Sequence, residues 1–138
     1  MRKTLFYALS CTWGIIMTVI GAVAAIILKA RGYVPKKHGW CYHFEYGYGW
    51  GGVNLGIVMI TSIAPSDHTK NHEHGHALQN CIWGPLMPFV IALPSAIRYH
   101  RRNKQQKQGV WLEPYDSVWY EGQATEWGNK FIERLGSE

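Results

Sequence analysis

The sequence predicts a mixed α+β protein in which an N-terminal membrane helix precedes one small domain. Residues Thr4–Leu28 include no charged side chain over twenty-five positions, long enough for a helix to cross a bilayer core of about 30 Å. Residues 38–62 are rich in aromatic, glycine and β-branched residues, which is typical of short strands and tight turns. Three later segments have helical character. The 138 residues leave room for a single compact domain.

The first apolar segment is predicted to be an uncleaved membrane anchor over residues 1–31. A cleavable signal peptide is the alternative, because Arg2 and Lys3 precede the segment and small residues occur near its end. The length of the apolar stretch and the basic residues after it favour the anchor. The excess of Lys and Arg on its C-terminal side predicts that the domain, residues 32–138, lies in the cytoplasm. Small residues at Gly14, Thr18 and Gly21 share one face, as in ordinary membrane helices or close helix contacts.

The net charge bears on the partners of the protein, and the cysteine count bears on its disulfides. Fourteen Lys and Arg against nine Asp and Glu give a net charge of +5, and the basic residues lie beside the apolar segments. This placement favours membrane lipid over nucleic acid, for which the sequence has no binding motif. The three cysteines allow at most one disulfide, between Cys41 and Cys81, and three free thiols are expected.

The segment after the anchor is predicted to form a small β layer. Residues 38–52 have the composition of twisted strands, and Val53–Ser62 is an apolar, β-branched run typical of one buried strand. The two could form a hairpin around residues 47–52. A strand directly before the next helix could hold an extended peptide, or it could serve only for packing.

A helix is predicted to begin at Asp67 or Thr69, either of which could cap it, and to end near Ile82 before Gly84 and Pro85. Residues 82–97 are again uncharged but are interrupted by three prolines. A core helix, a re-entrant segment and an interfacial helix are all compatible with this pattern. A final helix is predicted from Tyr115 or Asp116 to Leu135.

The helix from residue 67 carries an H-E-x-x-H pattern at His72–His76. Residues four apart on a helix share a face, so His72 and His76 can bind one Zn²⁺ while Glu73 accepts a proton from water. His74 should point away from that face, as a surface residue or as one that supports the ligands. His68, one turn earlier, is an alternative ligand.

A catalytic zinc keeps three protein ligands and one open position, so a third side chain must come from elsewhere. Glu121 is the favoured candidate. Its rivals are Glu126, which suits a solvent-facing charge, and Asp116, which suits a helix cap. Tyr115 or Tyr120 could stabilise an oxyanion, although both also suit plain packing.

The order of these motifs resembles small bacterial membrane-associated metallopeptidases of the HEYGH type, which are gluzincins. The resemblance covers residues 72–130 and rests on three elements: His72–Gln79 (HEHGHALQ), Gly84–Leu86 with Pro94–Ser95, and Trp119–Ala124 (WYEGQA). It implies a zincin-like domain, His72, His76 and Glu121 as zinc ligands, and Glu73 as the base. This chain has His74 where the family often has an aromatic residue. It has Thr125 where Asn or Asp is common, so Thr125 could support a ligand histidine.

Together these features predict a membrane-anchored zinc peptidase that cleaves peptide or protein substrates. Two alternatives stay open: a membrane protein that binds metal for structure, sensing or regulation, and a metal-free membrane protein in which the pattern arises by chance. The oligomeric state is not predicted. The polar character of residues 66–80 favours cleavage near the membrane surface.

Overall fold

The computed structural model describes residues 1–137 and is a mixed α+β fold, as predicted. Five α-helices are described: α1 (Lys3–Cys11), α2 (Ile15–Ala30), α3 (Asp67–Trp83), α4 (Leu93–Lys107) and α5 (Trp119–Gly136). The four strands are β1 (Lys36–His38), β2 (Cys41–Glu45), β3 (Gly52–Leu55) and β4 (Val58–Thr61). Shorter helical turns at Gly84–Leu86, Pro88–Ala92 and Tyr115–Ser117 connect α3, α4 and α5.

The N-terminal apolar segment is two helices and not the single helix predicted over Thr4–Leu28, because α1 and α2 meet at an angle of 91°. Polar groups at the break bond to α3. The Trp13 indole N–H donates to the Ile82 carbonyl, and the Asn80 amide donates to the Gly14 carbonyl. Within residues 1–137, no individual helix is both long and apolar enough to cross a bilayer. Two bent pairs of helical segments meet that criterion only when both segments of a pair are counted together. The first pair is α1 with α2, and the second is Asp67–Leu86 with Pro88–Lys107.

The small residues of α2 pack against the domain itself. A side chain at Gly21 would overlap the Leu55 carbonyl, and Thr18 lies directly against Gly56. The close approach that small residues permit is therefore used to place α2 across the β3–β4 hairpin.

The sheet has the strand order β1-β2-β4-β3, with β2 and β4 parallel and the other pairs antiparallel. The predicted single strand over Val53–Ser62 is wrong, because the chain turns at Gly56, where φ is +70°. The Asn54 side chain accepts from the Gly56 N–H and donates to its carbonyl, which closes this turn. The hairpin predicted around residues 47–52 does not form, and β3 becomes an edge strand.

Helix α3 is the central element and contacts α1, α5, β3 and β4. Ser66 caps it by accepting a hydrogen bond from the Thr69 N–H. The predicted caps, Asp67 and Thr69, were therefore wrong by one and three residues. Every residue from His72 to Cys81 is buried. The main core beside α3 includes Phe6, Trp40, Met59 and the free thiols of Cys41 and Cys81, while Cys11 is exposed.

Burial on all sides of α3 corrects the expectation that His74 lies at the surface. Its ring stacks on Phe131 at 4.4 Å between centroids, and the Trp40 backbone N–H donates to its Nε2. Burial lowers the pKa of His74 to about 3, so this imidazole is a neutral core residue that packs away from the ligand pair.

After α3 the chain bends sharply and continues into α4, with an angle of 116° between the two helical segments. Gly84 ends α3 at a φ of +50°, where a side chain would also overlap the Trp13 indole. Met87 and Ile91 in the following segment are buried against Met17 of α2. This packing forms one wall beside the ligand-bearing face of α3.

Candidate metal centre

The predicted ligands meet because α3 and α5 cross at two glycines. A side chain on Gly75 would overlap the Ala124 carbonyl, and a side chain on Gly128 would overlap the Asn71 carbonyl. The two backbones are therefore in direct contact. This contact brings Glu121, less than one turn before Ala124, against the face of α3 that carries His72 and His76.

Three buried atoms form a nearly equilateral triangle. The Glu121 Oε2 atom lies 3.0 Å from His72 Nε2 and 3.2 Å from His76 Nε2, and the two histidine nitrogens are 3.1 Å apart. All three side chains are buried, and Glu121 has no exposed surface. The group His72, His76 and Glu121 could hold a metal ion.

Hydrogen bonding fixes the orientation of His72. The Thr125 hydroxyl donates to Asp116 Oδ2 at 2.8 Å, so it must accept from His72 Nδ1, which lies 2.8 Å away. With its proton on Nδ1, His72 presents the Nε2 lone pair to the centre of the triangle. A chain of two hydrogen bonds thus links Asp116 to His72 Nδ1, and the other ring nitrogen, Nε2, belongs to the triangle.

His76 is oriented in the same sense by a different partner. Its Nδ1 lies 2.7 Å from Gln79 Oε1, and the Gln79 amide donates to the Tyr120 carbonyl and to Gln123 Oε1. Because the Gln79 nitrogen is engaged as a donor, its oxygen accepts from His76 Nδ1–H. The Nε2 lone pair of His76 therefore also faces Glu121.

The electrostatics favour an ionised Glu121. Burial would raise its pKa, but the close approach of the His72 and His76 imidazoles, whose Nε2 atoms lie 3.0 and 3.2 Å from Oε2, outweighs that effect and lowers the pKa well below its ordinary value. Burial opposes protonation of His76, whereas the adjacent Glu121 and the charge of Glu73 raise its pKa overall. The second oxygen of Glu121, Oε1, is buried with no hydrogen-bond partner among residues 1–137. A buried anionic oxygen of this kind fits a cation or a water molecule at the site.

Glu73 lies beside the triangle and under the edge of the sheet. A side chain at Gly52 of β3 would fall 2.7 Å from Glu73 Oε1, so glycine is needed for this close approach. Burial raises the pKa of Glu73, and the nearby His76 and His72 offset part of that rise. Its Oε2 atom has no hydrogen-bond partner in the described part of the chain.

A cavity of about 630 Å³ opens over these residues. His72, Glu73 and His76 line it beneath Gly52 and Asn54 of β3. Apolar side chains also line the cavity and include Met17, Leu55, Met87 and Ile91. The site thus combines a buried polar cluster with a large apolar space next to an edge strand.

The two tyrosines considered from the sequence lie in different places. Tyr115 lines the cavity, with its ring centroid 6.1 Å from that of His72, and burial raises its pKa to about 12. Its hydroxyl is 3.4 Å from Ser95 Oγ. Tyr120 does not line the cavity; it packs outside, against Trp119. Only Tyr115 is placed near the ligand triangle.

The alternative ligands are not part of the triangle. Asp116 accepts from Thr125, and Glu126 is an exposed side chain bonded to Lys130. His68 is exposed and lies at the cavity rim, with its Nε2 3.8 Å from Asp116 Oδ2.

Sequence reasoning missed the roles of Gln79, Gly75 and Gly128, and treated Asp116 as a cap. Gln79 and Gly75 both lie within the motif segment His72–Gln79. Residues three apart on a helix share a face, so the spacing of His76 and Gln79 was a usable signal. No comparable signal pointed to Asp116, which reaches His72 only through Thr125.

The chain matches no protein-family model, no curated protein and no solved structure.

Proposed function

We propose that the protein is a zinc-dependent peptidase. The observation that carries the proposal is the buried triangle of His72, His76 and Glu121 beside a second buried glutamate, Glu73, at the floor of a cavity. Two imidazole nitrogens and one carboxylate oxygen form a donor set used by catalytic zinc.

The dimensions of the triangle suit zinc. Ligand atoms bound at about 2.0–2.1 Å in a tetrahedron lie about 3.3 Å apart, and the three distances here are 3.0, 3.1 and 3.2 Å. The hydrogen bonds from both Nδ1 atoms leave both Nε2 lone pairs free for the ion. Softer metals would favour thiolate ligands, and the free thiols of the chain are not part of this group.

Glu73 has the properties of a general base in this proposal. Bound zinc supplies Lewis acidity, which lowers the pKa of a water molecule and polarises a carbonyl group. Glu73 accepts the proton of that water and then delivers it to the leaving amine. Its burial raises its pKa, and a higher pKa makes a carboxylate a stronger base.

The surroundings of the site support a peptide as the substrate. β3 is an edge strand whose backbone passes directly over Glu73 at Gly52, and an extended peptide can add to such an edge through main-chain hydrogen bonds. The apolar wall of Met17, Leu55, Met87 and Ile91 suits an apolar side chain next to the scissile bond. The phenol of Tyr115 lines the same cavity and can donate to an oxyanion.

The decisive experiment replaces Glu73 with Gln and measures both zinc content and peptide hydrolysis. We expect Glu73→Gln to retain zinc and to lose hydrolysis by at least about 100-fold, because it removes the proton acceptor but no ligand. Glu126→Gln is the matched control, since Glu126 is exposed on the outside of α5, and it should hydrolyse peptides like the wild type. Undiminished hydrolysis by Glu73→Gln would contradict the mechanism.

A non-catalytic metal site is the second candidate function. The metal would then join α3 to α5, and the complete burial of Glu121 is consistent with such a role. This alternative predicts zinc in the wild-type protein without hydrolysis of any peptide tested. A protein that contains no zinc after purification and reconstitution would contradict both candidates.

A further inference from the structure

Two stripes of exposed apolar side chains lie on helical segments that pack side by side. On α2 the stripe includes Ile16, Val19, Ile20, Val23 and Ile27, which are between two-fifths and about half exposed. This spacing defines one face of a helix. The opposite face, with Thr18, Gly21 and Leu28, is buried against the domain.

The second stripe runs from the end of α3 into α4. Ile82, Leu86, Phe89, Leu93 and Ile97 are each exposed by about half or more, up to 69% for Phe89. Between the stripes, Met17 packs on Met87 and Ile91, and the Trp13 indole bonds to the Ile82 carbonyl. The two stripes therefore form one apolar surface, which we call the apolar face.

Basic residues flank the two stripes in the sequence, and acidic residues do not. Residues 1–44 and 74–112, which contain both stripes, hold eleven of the fourteen Lys and Arg residues and none of the nine Asp and Glu residues. Lys29 and Arg31 follow the α2 stripe, and Arg98, Arg101, Arg102, Lys104 and Lys107 follow the second stripe on α4. All acidic residues belong to other parts of the chain.

An exposed apolar surface whose flanking segments hold basic side chains and no carboxylate suits one kind of partner. Bilayers with anionic headgroups offer an apolar interior and negative phosphates at its boundary. A second copy of this chain would bring like charges together at the same border, which opposes association.

We infer that the apolar face docks on a lipid bilayer that contains anionic lipid, with the basic residues of α4 and the end of α2 at the headgroups. The cavity lies directly behind this face, because Met17, Met87 and Ile91 line the cavity from the same two segments. Docking therefore brings the candidate metal centre to the membrane surface.

The test is co-flotation of the full chain with vesicles of phosphatidylcholine, with and without phosphatidylglycerol. We expect strong flotation with the mixed vesicles and at least a several-fold loss for Val23→Ser combined with Phe89→Ser, one change in each stripe. The control combines Val34→Ser with Tyr48→Ser, which are 80% and 81% exposed but lie outside both stripes, and should float like the wild type.

A second arm tests the charge. Arg101→Gln combined with Lys104→Gln, both exposed on α4, should weaken flotation with the mixed vesicles and leave binding to phosphatidylcholine alone unchanged. Glu73→Gln should float normally, so a failure of the peptidase proposal does not affect this result. Equal flotation of the stripe variant and the wild type would overturn the inference. The inference would also be overturned if the wild-type protein did not float but self-associated, and the stripe variant abolished that self-association. A second copy of the chain would then be the partner of the apolar face.

Discussion

At the scale of single residues, the site depends on hydrogen bonds that hold each histidine by its Nδ1 atom. His72 is held by Thr125, which is held in turn by Asp116, while His76 is held by Gln79. The group between His72 and Asp116 is a hydroxyl, which can donate one hydrogen bond and accept another. The Thr125 hydroxyl has one proton, and because Asp116 accepts it, the direction of every bond in the chain is determined.

Removing the Thr125 hydroxyl should weaken zinc binding. Thr125→Val leaves the Nδ1–H of His72 without an acceptor, and we expect about a 10–100-fold loss of zinc affinity, measured by competition with a chelator. Thr12→Val is the matched control, because Thr12 is exposed directly after α1 and its hydroxyl donates to the Ala8 carbonyl, away from the triangle.

Asp116→Asn should reduce zinc affinity less than Thr125→Val, since an amide oxygen can still accept from the hydroxyl. The loss in the double variant should be smaller than the sum of the two single losses, because both residues act through the same bond to His72. Wild-type affinity in Thr125→Val would show that His72 does not need this support.

Residue spacing predicted that His72 and His76 share one face of a helix, but not the environment of their neighbours. The four-residue spacing of His72 and His76 follows from helix geometry, so it can be read from the sequence. Whether His74 meets water or a core depends on what packs on the other side of α3. Phe6, Trp40 and Phe131 come from three distant parts of the chain, and no local pattern specifies their arrangement.

At the scale of elements, the crossing of α3 and α5 decides whether a metal site exists at all. Gly75 and Gly128 each face a backbone carbonyl of the other helix. Glycine destabilises a helix by roughly 1 kcal/mol relative to alanine. At Gly75 and Gly128 this loss is accompanied by a close contact between the two helices that a larger residue would prevent.

Gly75→Ala should therefore disrupt both stability and metal binding. The added methyl group overlaps the Ala124 carbonyl, and separating the helices moves Glu121 away from the histidines. We expect a loss of about 2 kcal/mol or more in unfolding free energy and a fall in zinc affinity of at least about tenfold, measured by chemical denaturation and chelator competition.

Gly136→Ala provides the control for this substitution, because Gly136 lies at the end of α5, where an added methyl group would contact no other part of residues 1–137 within 4 Å. It should leave zinc affinity unchanged and stability equal or slightly higher, as expected from helix propensity. If Gly75→Ala bound zinc as tightly as Gly136→Ala, the ligand geometry would not depend on the close crossing.

The N-terminal segment shows why element boundaries could not be read from composition. Residues 4–28 lack proline and charge, so nothing local predicts an interruption. The break between α1 and α2 is stabilised by Asn80 and by the Ile82 carbonyl, both on α3. Similarly, the turn at Gly56 divides a run whose β-branched residues predicted one strand.

At the scale of the whole molecule, the two layers of the fold contribute different parts of the site. The helices supply Glu73 and the three residues that could hold a metal ion, whereas the sheet supplies the edge strand that covers Glu73. The helical part was largely predictable, because its motif has a fixed period. The sheet was not, because the parallel pairing of β2 with β4 joins strands that are separated in the chain by a loop and by β3.

Zinc should also stabilise the entire fold, since a ligand that binds only the native state adds to its unfolding free energy. The triangle joins α3 to α5, two helices that pack along each other, so the site is lost when the chain unfolds. At free zinc of about 100 times the dissociation constant, the added stability is about 2.7 kcal/mol, which corresponds to a rise in Tm of roughly 5–10 °C for a chain of this size. Glu121→Gln should lose most of this rise because it removes a ligand, whereas Glu73→Gln and Glu126→Gln should keep it. Calorimetry of each protein with zinc and with a chelator measures the difference, and an equal rise for Glu121→Gln and Glu126→Gln would mean that the metal binds elsewhere.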